Sequence, residues 1–318
     1  MIQRYSFLLL LLVTAVSLIG FLTFSSQSGA IDTDQTATYN QAFRSGYNIY
    51  ALPHPENLEF AGEAVPMDQF DVRERFDREL LVNTYWQSST LLFFKRANRW
   101  FPVIEPILAE YGVPEDFKYL ALIESGLMNV VSPAGATGFW QILRGTARDL
   151  GLEVNDHIDE RYHVEKSTVA ACKYLLDAKE RFGSWTLAAA AYNIGNARLG
   201  RILENQRVDE YYDLFLNEET ARYMFRILAV KTIFSDPAAS GFHFRKEDLY
   251  PMVTYYNVAV DTTINDLVDF AFTHNTTYKA LRELNPWIRS YELPNASGKL
   301  YEIKIPVAEE DTESMPDL

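Results

Sequence analysis

The chain has 318 residues, of which 48% are hydrophobic and 14% aromatic, and this length allows one or two domains with a sizeable core. Its formal net charge of −14 excludes a general affinity for nucleic acid, because phosphate binding requires a basic face. The single cysteine, Cys172, excludes an internal disulfide, and its apolar helical surroundings predict a buried core residue. The five histidines are scattered, which argues against a metal site.

The first 30 residues have the layout of an export signal. Arg4 precedes an apolar run over 7–24, and small residues follow up to Ala30. The run is also about long enough to span a bilayer. Residues 1–30 are therefore predicted to be a cleaved signal peptide or a retained membrane anchor. Both predict an exported chain, and only a retained anchor would associate it with a membrane.

Helical spacing dominates the next two hundred or so residues. Residues 31–72 mix Pro, Asn, Asp and Gly without a sustained period, which predicts a linker or a wrapping arm. From residue 73 apolar residues recur every three or four positions until Gly112, and Pro114 suits the first position of the next helix. Further helices are predicted over 164–182, 185–195, 196–203 and 218–234. Residues 73–248 are therefore predicted to form an all-α domain.

The pattern changes after Pro251. Residues 252–260 and 299–305 read as strands, and 263–272 and 277–284 as two short helices. Residues 249–306 are therefore predicted to form a separate small βααβ module. The acidic tail over 307–318 is predicted to be disordered.

One acidic residue, Glu124, ends an otherwise apolar helical run. A helix that starts at Pro114 places Phe117, Leu120 and Glu124 on one face. A glutamate on such a face loses hydration, which raises its pKa and suits it to general acid catalysis. The alternative is that Glu124 frays into solvent at the C-terminal end of the helix.

The loop after Glu124 has a composition that suits a sugar. It offers two glycines, Gly135 and Gly138, for close backbone approach, Trp140 as an apolar platform, and Gln141 as a neutral donor and acceptor. Sugars present apolar ring faces beside many hydroxyl groups, so aromatic residues next to amides are typical of their binding sites.

Four short motifs in order carry a family resemblance. They are "ES" at 124–125, "GATGFWQI" at 135–142, "AAAAYNIGNARLGRIL" at 188–203 and "EETARY" at 218–223. Together they resemble the lytic transglycosylases of glycoside hydrolase family 23, and most closely those of the membrane-bound D type, over residues 90–305. This resemblance implies a mainly α fold, with a lysozyme-like all-helical catalytic domain before the small module.

The resemblance also implies roles for individual residues. Glu124 matches the catalytic acid, and Ser125 matches a neighbour that forms hydrogen bonds. The matches expected to bind or support the substrate are Gly138, Trp140 and Gln141 in the loop, Tyr192 and Asn193 in the "AYN" element, and Glu219 and Thr220 in a later helix. From the sequence alone, Tyr192 is also compatible with a core position and Asn193 with a helix C-cap.

The implied reaction is cleavage of the MurNAc-β-1,4-GlcNAc bond of peptidoglycan without water, which leaves a 1,6-anhydroMurNAc end. The expected partner is the glycan strand, the expected location is the periplasm, and no cofactor or metal is called for. Two alternatives stay open. They are a hydrolytic muramidase and a wall-binding protein that has lost its activity.

The C-terminal module resembles a LysM domain. The matching features are "ALRELNP" at 280–286 and a closing strand that ends at Ile305 and Pro306. The glycine that the family has in the turn after the first strand is absent from "VDTTI" at 260–264. Packing against the catalytic domain and binding of GlcNAc are therefore both open roles for this module.

Overall fold

Ten α-helices carry about half of residues 49–307, the part of the chain that the computed structural model describes. The mainly α prediction is confirmed. The predictions for residues 1–30 and for most of the acidic tail lie outside the described residues, and residues 49–51 belong to a separate N-terminal unit. The helices are α1 (Phe70–Tyr85), α2 (Gln87–Glu110), α3 (Phe117–Ser125), α4 (Arg144–Asp149), α5 (Val164–Phe182), α6 (Trp185–Ile194), α7 (Asn196–Gln206), α8 (Glu218–Ser235), α9 (Leu267–Thr273) and α10 (Tyr278–Leu284).

The segment before α1 packs onto the helices. It contains a short hairpin, β1 (Glu59–Phe60) and β2 (Glu63–Ala64). Phe60 is fully buried, with its ring edge-on to that of Phe117 at a centroid distance of 5.1 Å. The Glu63 carboxylate accepts hydrogen bonds from the first backbone N–H groups of α6, at 2.6 and 2.8 Å. An acidic side chain at this end stabilises a helix, because it satisfies N–H groups that have no partner within the helix.

The main differences from the predicted helices are a break and a late start, and helix α4 was not predicted. The run expected to continue from 73 to Gly112 is broken at Trp86, whose backbone leaves the helical region at φ −87° and ψ 53°. The Thr90 hydroxyl accommodates the break by donating a hydrogen bond to the backbone carbonyl of Asn83. The helix expected to begin at Pro114 begins at Phe117, because residues 114–116 form a turn with i to i+3 hydrogen bonds.

Helices α6 and α8 lie at the centre of the core. The four alanines at 188–191 have no exposed surface, which allows neighbouring helices to approach α6 closely. Helix α8 packs against α1, α3 and α6. The C-terminal ends of α3 and α6 and the N-terminal half of α8 supply most of the residues that the sequence nominated. No helix within residues 49–307 combines the length and apolar character required to cross a bilayer.

The C-terminal region has the predicted βααβ order. Strands β3 (Tyr255–Val260) and β4 (Tyr301–Pro306) pair antiparallel, with Val258 opposite Ile303. Helices α9 and α10 cover one face of this sheet through Leu267 and Leu281, which are fully buried. The same hydrophobic cluster includes Ile158 and Tyr162, which belong to the helical domain.

Candidate active site

Glu124 lies in the last turn of α3, partly buried beside a mostly apolar face. Its Oε1 accepts a hydrogen bond of 2.5 Å from the hydroxyl of Tyr223. Burial raises the pKa of Glu124, and the negative charge of Glu219 acts in the same direction. The Tyr223 hydrogen bond and the Arg226 guanidinium oppose this rise without cancelling it. The alternative of a glutamate frayed into solvent is wrong.

The end of α3 is fixed to the following loop by Ser125. Gly126 caps the helix in the left-handed region, with its N–H donating to the Leu122 carbonyl at 2.8 Å. The buried Ser125 hydroxyl donates to the Phe139 carbonyl at 2.8 Å. The position next to Glu124 therefore orients the loop relative to the carboxylate.

Gly138 sits where no side chain fits. Its φ is +80°, and a Cβ on this residue would lie 2.1 Å from the carbonyl oxygen of Arg161. Glycine is required at this position by the close approach of the protein's own backbone. At Gly135 a Cβ would meet no atom within 4 Å, so only its φ of +80° favours glycine, and close approach of a ligand to either glycine stays a prediction.

Trp140 is not a platform for a ligand. Its side chain is 0% exposed, and its indole Nε1 donates to the Thr168 hydroxyl at 2.9 Å. The prediction of an exposed apolar surface at this position is therefore wrong. A buried indole needs one partner for its N–H, and Thr168 on α5 supplies it. The backbone carbonyl of Trp140 instead accepts from the Tyr192 hydroxyl at 2.7 Å.

Gln141 holds the loop through its side-chain amide. Its Nε2 donates to the carbonyls of Gly138 at 2.8 Å and Val130 at 3.1 Å. The residue has a φ of +47°, which is unusual for a residue with a side chain. Its Oε1 makes no hydrogen bond within residues 49–307, so the acceptor half of the amide is available to a ligand.

Tyr192 and Asn193 lie in the last turn of α6. Gly195 caps this helix, so the alternative that Asn193 is the C-cap is wrong. Burial raises the pKa of Tyr192 well above its ordinary value of 10, and the charge of Glu124 adds to the rise. The Tyr192 phenol is therefore a permanent donor to the loop. The Asn193 side chain is partly exposed and makes no hydrogen bond within the described part of the chain.

Glu219 and Thr220 occupy the first turn of α8. Asn217 caps this helix by accepting a hydrogen bond from the Thr220 N–H at 3.0 Å. Thr220 is buried, and its carbonyl accepts from the Tyr211 hydroxyl at 2.9 Å. Glu219 is exposed, and its charge reaches Glu124. Of this pair, Glu219 acts on the carboxylate, whereas Thr220 supports the start of the helix.

Sequence reasoning missed the two residues that contact the end of α3 from α8. Tyr223 is buried and is the hydrogen-bond donor to Glu124. Arg226 donates to the Ile123 carbonyl at 3.1 Å. A signal for both was present, because positions 219, 223 and 226 share one helical face. Within residues 49–307, no group of three or more His, Cys, Asp or Glu side chains is arranged to hold a metal ion.

Two family models match the chain. Residues 102–215 match the transglycosylase SLT domain, and residues 256–309 match the soluble lytic transglycosylase C-terminal LysM-like domain. The resemblance predicted from the four motifs is confirmed by these matches. The first match includes Glu124 and Asn193 but ends before Glu219.

The chain is also similar to several individual proteins. The chain is 25% identical over 258 residues to membrane-bound lytic murein transglycosylase D of Escherichia coli K12, covering 78% of this chain and 55% of that protein. The chain thus spans about half the length of this curated relative. A solved structure of an inactive mutant of lytic transglycosylase Slt from Pseudomonas aeruginosa is 21% identical, with a TM-score of 0.36 over 48% of this chain and 26% of that one. The 70 kDa soluble lytic transglycosylase of Escherichia coli is 20% identical, with a TM-score of 0.35 over 48% and 27%.

Proposed function

We propose that this chain, which carries a transglycosylase SLT domain and a LysM-like domain, is a peptidoglycan lytic transglycosylase that uses Glu124 first as acid and then as base. The observation that carries the proposal is the environment of the Glu124 carboxyl group. Its carboxyl group is partly buried and has a raised pKa, and it is held in place by the Tyr223 hydroxyl. A carboxyl group that is still protonated when substrate binds is what a general acid requires.

The proposed reaction needs no water and no second carboxylate. The Glu124 carboxyl donates its proton to the oxygen between MurNAc and GlcNAc as the C1–O bond breaks. The 6-hydroxyl of the same MurNAc then attacks C1, and its proton passes to the Glu124 carboxylate. One bond breaks, one forms, and the acid is regenerated. The products are a GlcNAc end with a free hydroxyl and a 1,6-anhydroMurNAc end.

Asn193 and Gln141 are the side chains we assign to substrate contact. The Asn193 amide has no hydrogen-bond partner within residues 49–307, and neither has the Oε1 of Gln141. An amide is suited to the N-acetyl group of the sugar, which in turn stabilises the positive charge that develops at C1. Tyr192 is assigned to the loop instead, since its hydroxyl is already bonded to the Trp140 carbonyl.

The proposed location follows from the proposed substrate. Peptidoglycan lies outside the cytoplasm, and the predicted export signal or anchor at residues 1–30 would take the chain there. The related Escherichia coli protein is named as membrane-bound and as acting on murein. We therefore assign the chain to the periplasm, with glycan strands as its partner and membrane attachment through the N-terminal segment where this is retained.

The decisive experiment compares Glu124→Gln with Glu110→Gln on purified sacculi. Both variants lose one carboxylate, but Glu110 is an exposed residue at the end of α2. We expect Glu124→Gln to release no muropeptides while it still binds sacculi, and Glu110→Gln to behave like wild type. Turnover by Glu124→Gln would refute the role of this residue. Wild-type protein that binds sacculi without releasing products would favour a wall-binding protein without activity.

Glu219 gives one reason to consider hydrolysis. Glycoside hydrolases generally use two carboxylates, and Glu219 is acidic, exposed and near enough to influence Glu124. In a muramidase, Glu219 would activate a water molecule. Mass spectrometry separates the two reactions, because a hydrolytic product is one water heavier than the anhydro product. We expect the anhydro mass from wild type and from Glu219→Gln, and a product one water heavier would overturn the lytic mechanism.

A further inference from the structure

We propose that the LysM-like module is a positioning element for the active-site loop, and that it acts through residues 157–161 with Arg161 as the positioning residue. The active-site loop is defined as residues 130–142, which follow Glu124. The effect on catalysis of this connection between the module and the loop rests on the proposed function. The connection itself is a structural property, and hydrogen exchange of the loop amides can measure it without an activity assay.

On one side, residues 157–161 pair with the module as a short strand would. Ile158 forms an isolated antiparallel bridge with Ile288. The Asp159 N–H donates to the Trp287 carbonyl at 2.8 Å, and the Arg289 N–H donates to the His157 carbonyl at 2.7 Å. The Ile158 side chain is buried in the hydrophobic cluster of the module. The turn between α10 and β4 is therefore bonded to the helical domain along its backbone.

On the other side, Arg161 binds the active-site loop at two points. Its Nη1 donates to the Gly135 carbonyl at 3.0 Å and to the Ile142 carbonyl at 3.2 Å. Its own backbone carbonyl is the atom that leaves no space for a side chain at Gly138. One residue thus contacts both ends of the 135–142 segment and its middle.

The Arg161 side chain is held by Asp159. The carboxylate accepts from Nε at 2.9 Å and from Nη2 at 2.7 Å, and both side chains are about nine-tenths buried. A two-point contact between these groups fixes the plane of the guanidinium. Because the Asp159 backbone is bonded to Trp287, the module and the guanidinium share one rigid connection.

The loop is also bonded to α3 and α6, the helices that carry Glu124 and Tyr192. Ser125, next to Glu124, donates to the Phe139 carbonyl, and Tyr192 donates to the Trp140 carbonyl. The loop is thus held between the catalytic helices and residues 157–161. Residues 157–161 contain only the start of a short 3₁₀ helix, at Glu160. Their conformation therefore depends on their contacts with the module and the loop.

Polar contacts at the rim attach the module to the helical domain more widely. Glu153 accepts from Lys299 at 2.6 Å and from the Tyr301 hydroxyl at 2.9 Å, and Lys304 pairs with Glu165. The module is therefore not suspended on a free linker. This is the arrangement expected if the module supports the catalytic domain. A module that only tethers the enzyme to the wall needs no bond to the segment that holds the loop.

The test is hydrogen exchange on the full chain with a matched pair of substitutions, Arg289→Pro and Arg289→Ala. Both remove the guanidinium that lies over the Tyr162 ring, with 4.2 Å between its carbon and the ring centroid. Only Arg289→Pro also removes the N–H that bonds to His157. We expect exchange of the Gly138 and Ile142 amides to rise about fivefold in Arg289→Pro relative to Arg289→Ala, the effect of about one net hydrogen bond. Amides of α1 should not change. Equal exchange in the two variants would overturn the proposal.

Arg161→Lys tests the loop side independently of the folding of the module. Lysine keeps the charge but cannot reproduce the fork that binds two carbonyls and Asp159 together. We expect faster exchange at Gly138 and Ile142, unchanged exchange in β3 and β4, and a fall in kcat of about tenfold with little change in KM. Unchanged loop exchange would refute the role of Arg161 even if Arg289→Pro disrupts the module. If exchange responds but wild type has no turnover, the proposed function fails and the positioning role stands.

Discussion

The hydrogen bond between Tyr223 and Glu124 offers a direct way to alter the proposed acid without removing it. Tyr223→Phe keeps the buried ring, which is 2% exposed, and deletes the hydroxyl that donates to Oε1 at 2.5 Å. This bond favours the ionised form of the carboxyl and so lowers the pKa of Glu124, against the larger opposing effect of burial. Its loss must therefore raise that pKa further.

The size of the change follows from the energy of a hydrogen bond to a charged group. Such a bond contributes about 1.5–3 kcal/mol. One pKa unit corresponds to about 1.4 kcal/mol of difference between the ionised and protonated forms, so the pKa should rise by no more than about 1–2 units. Because Glu124 must be protonated to start the proposed reaction, we expect activity to fall as pH rises through its pKa. The alkaline limb of the pH profile should therefore move upward by about the same amount in Tyr223→Phe.

The assay is kcat/KM for release of the anhydro product, measured across a range of pH for wild type and Tyr223→Phe. Tyr211→Phe is the matched control, because Tyr211 is also a buried tyrosine, but its hydroxyl donates to the Thr220 carbonyl. We expect its alkaline limb to coincide with that of wild type. A limb that stays in place or moves downward in Tyr223→Phe would show that this phenol does not stabilise the ionised acid.

Three further predictions concern stability and reactivity. Gly138→Ala should lower the free energy of unfolding by more than about 3 kcal/mol, because the new Cβ meets the Arg161 carbonyl. Gly135→Ala should lower it by only about 1–2 kcal/mol, because the positive φ is the sole strain there. Equal losses in urea denaturation would contradict this difference. Burial alone would raise the pKa of Glu63, but hydrogen bonds from the start of α6 outweigh it and lower the pKa, so the carboxylate stabilises the fold above its ordinary pKa. Glu63→Gln should therefore cost about 1–2 kcal/mol at neutral pH, and this difference from wild type should disappear as pH falls through the lowered pKa; a difference that does not depend on pH would exclude this account. Burial raises the pKa of the Cys172 thiol to about 12, so alkylating reagents should modify it only after unfolding. Mass spectrometry measures this modification, and rapid modification of the native protein would refute the burial of Cys172.

Local patterns were enough to predict most of the helices and the place of Glu124 at the end of one of them, but not α4 or the break at Trp86. Glu124 shares a face with Phe117 and Leu120, and helical periodicity alone reports this relation. Tyr223 was within reach of the same reasoning, since it lies four residues after Glu219 on α8. The βααβ module was also predictable, because a change from helical to alternating spacing marks its start.

Contacts between distant segments were not predictable in this way. The direction of the Trp140 side chain depends on Thr168, which is 28 residues away. Glu63 contacts the start of α6, although it is separated from Trp185 by 122 positions and from Thr186 by 123. The contact between His157 and Arg289 joins two domains. A single sequence contains each of these residues but no pattern that relates one to the other.

The environment of Glu124 matches the two opposite tasks proposed for one carboxyl group. A group that gives a proton and later takes one must be stable in both forms, so its pKa should lie near the working pH. Burial favours the protonated form, which suits the first task and opposes the second. Tyr223 and Arg226 work against burial by stabilising the anion, and the pKa of Glu124 stays raised all the same. In the proposed mechanism a single glutamate serves as acid and then as base, and α8 supplies the hydrogen-bond donor and the cation that stabilise its anionic form between the two steps.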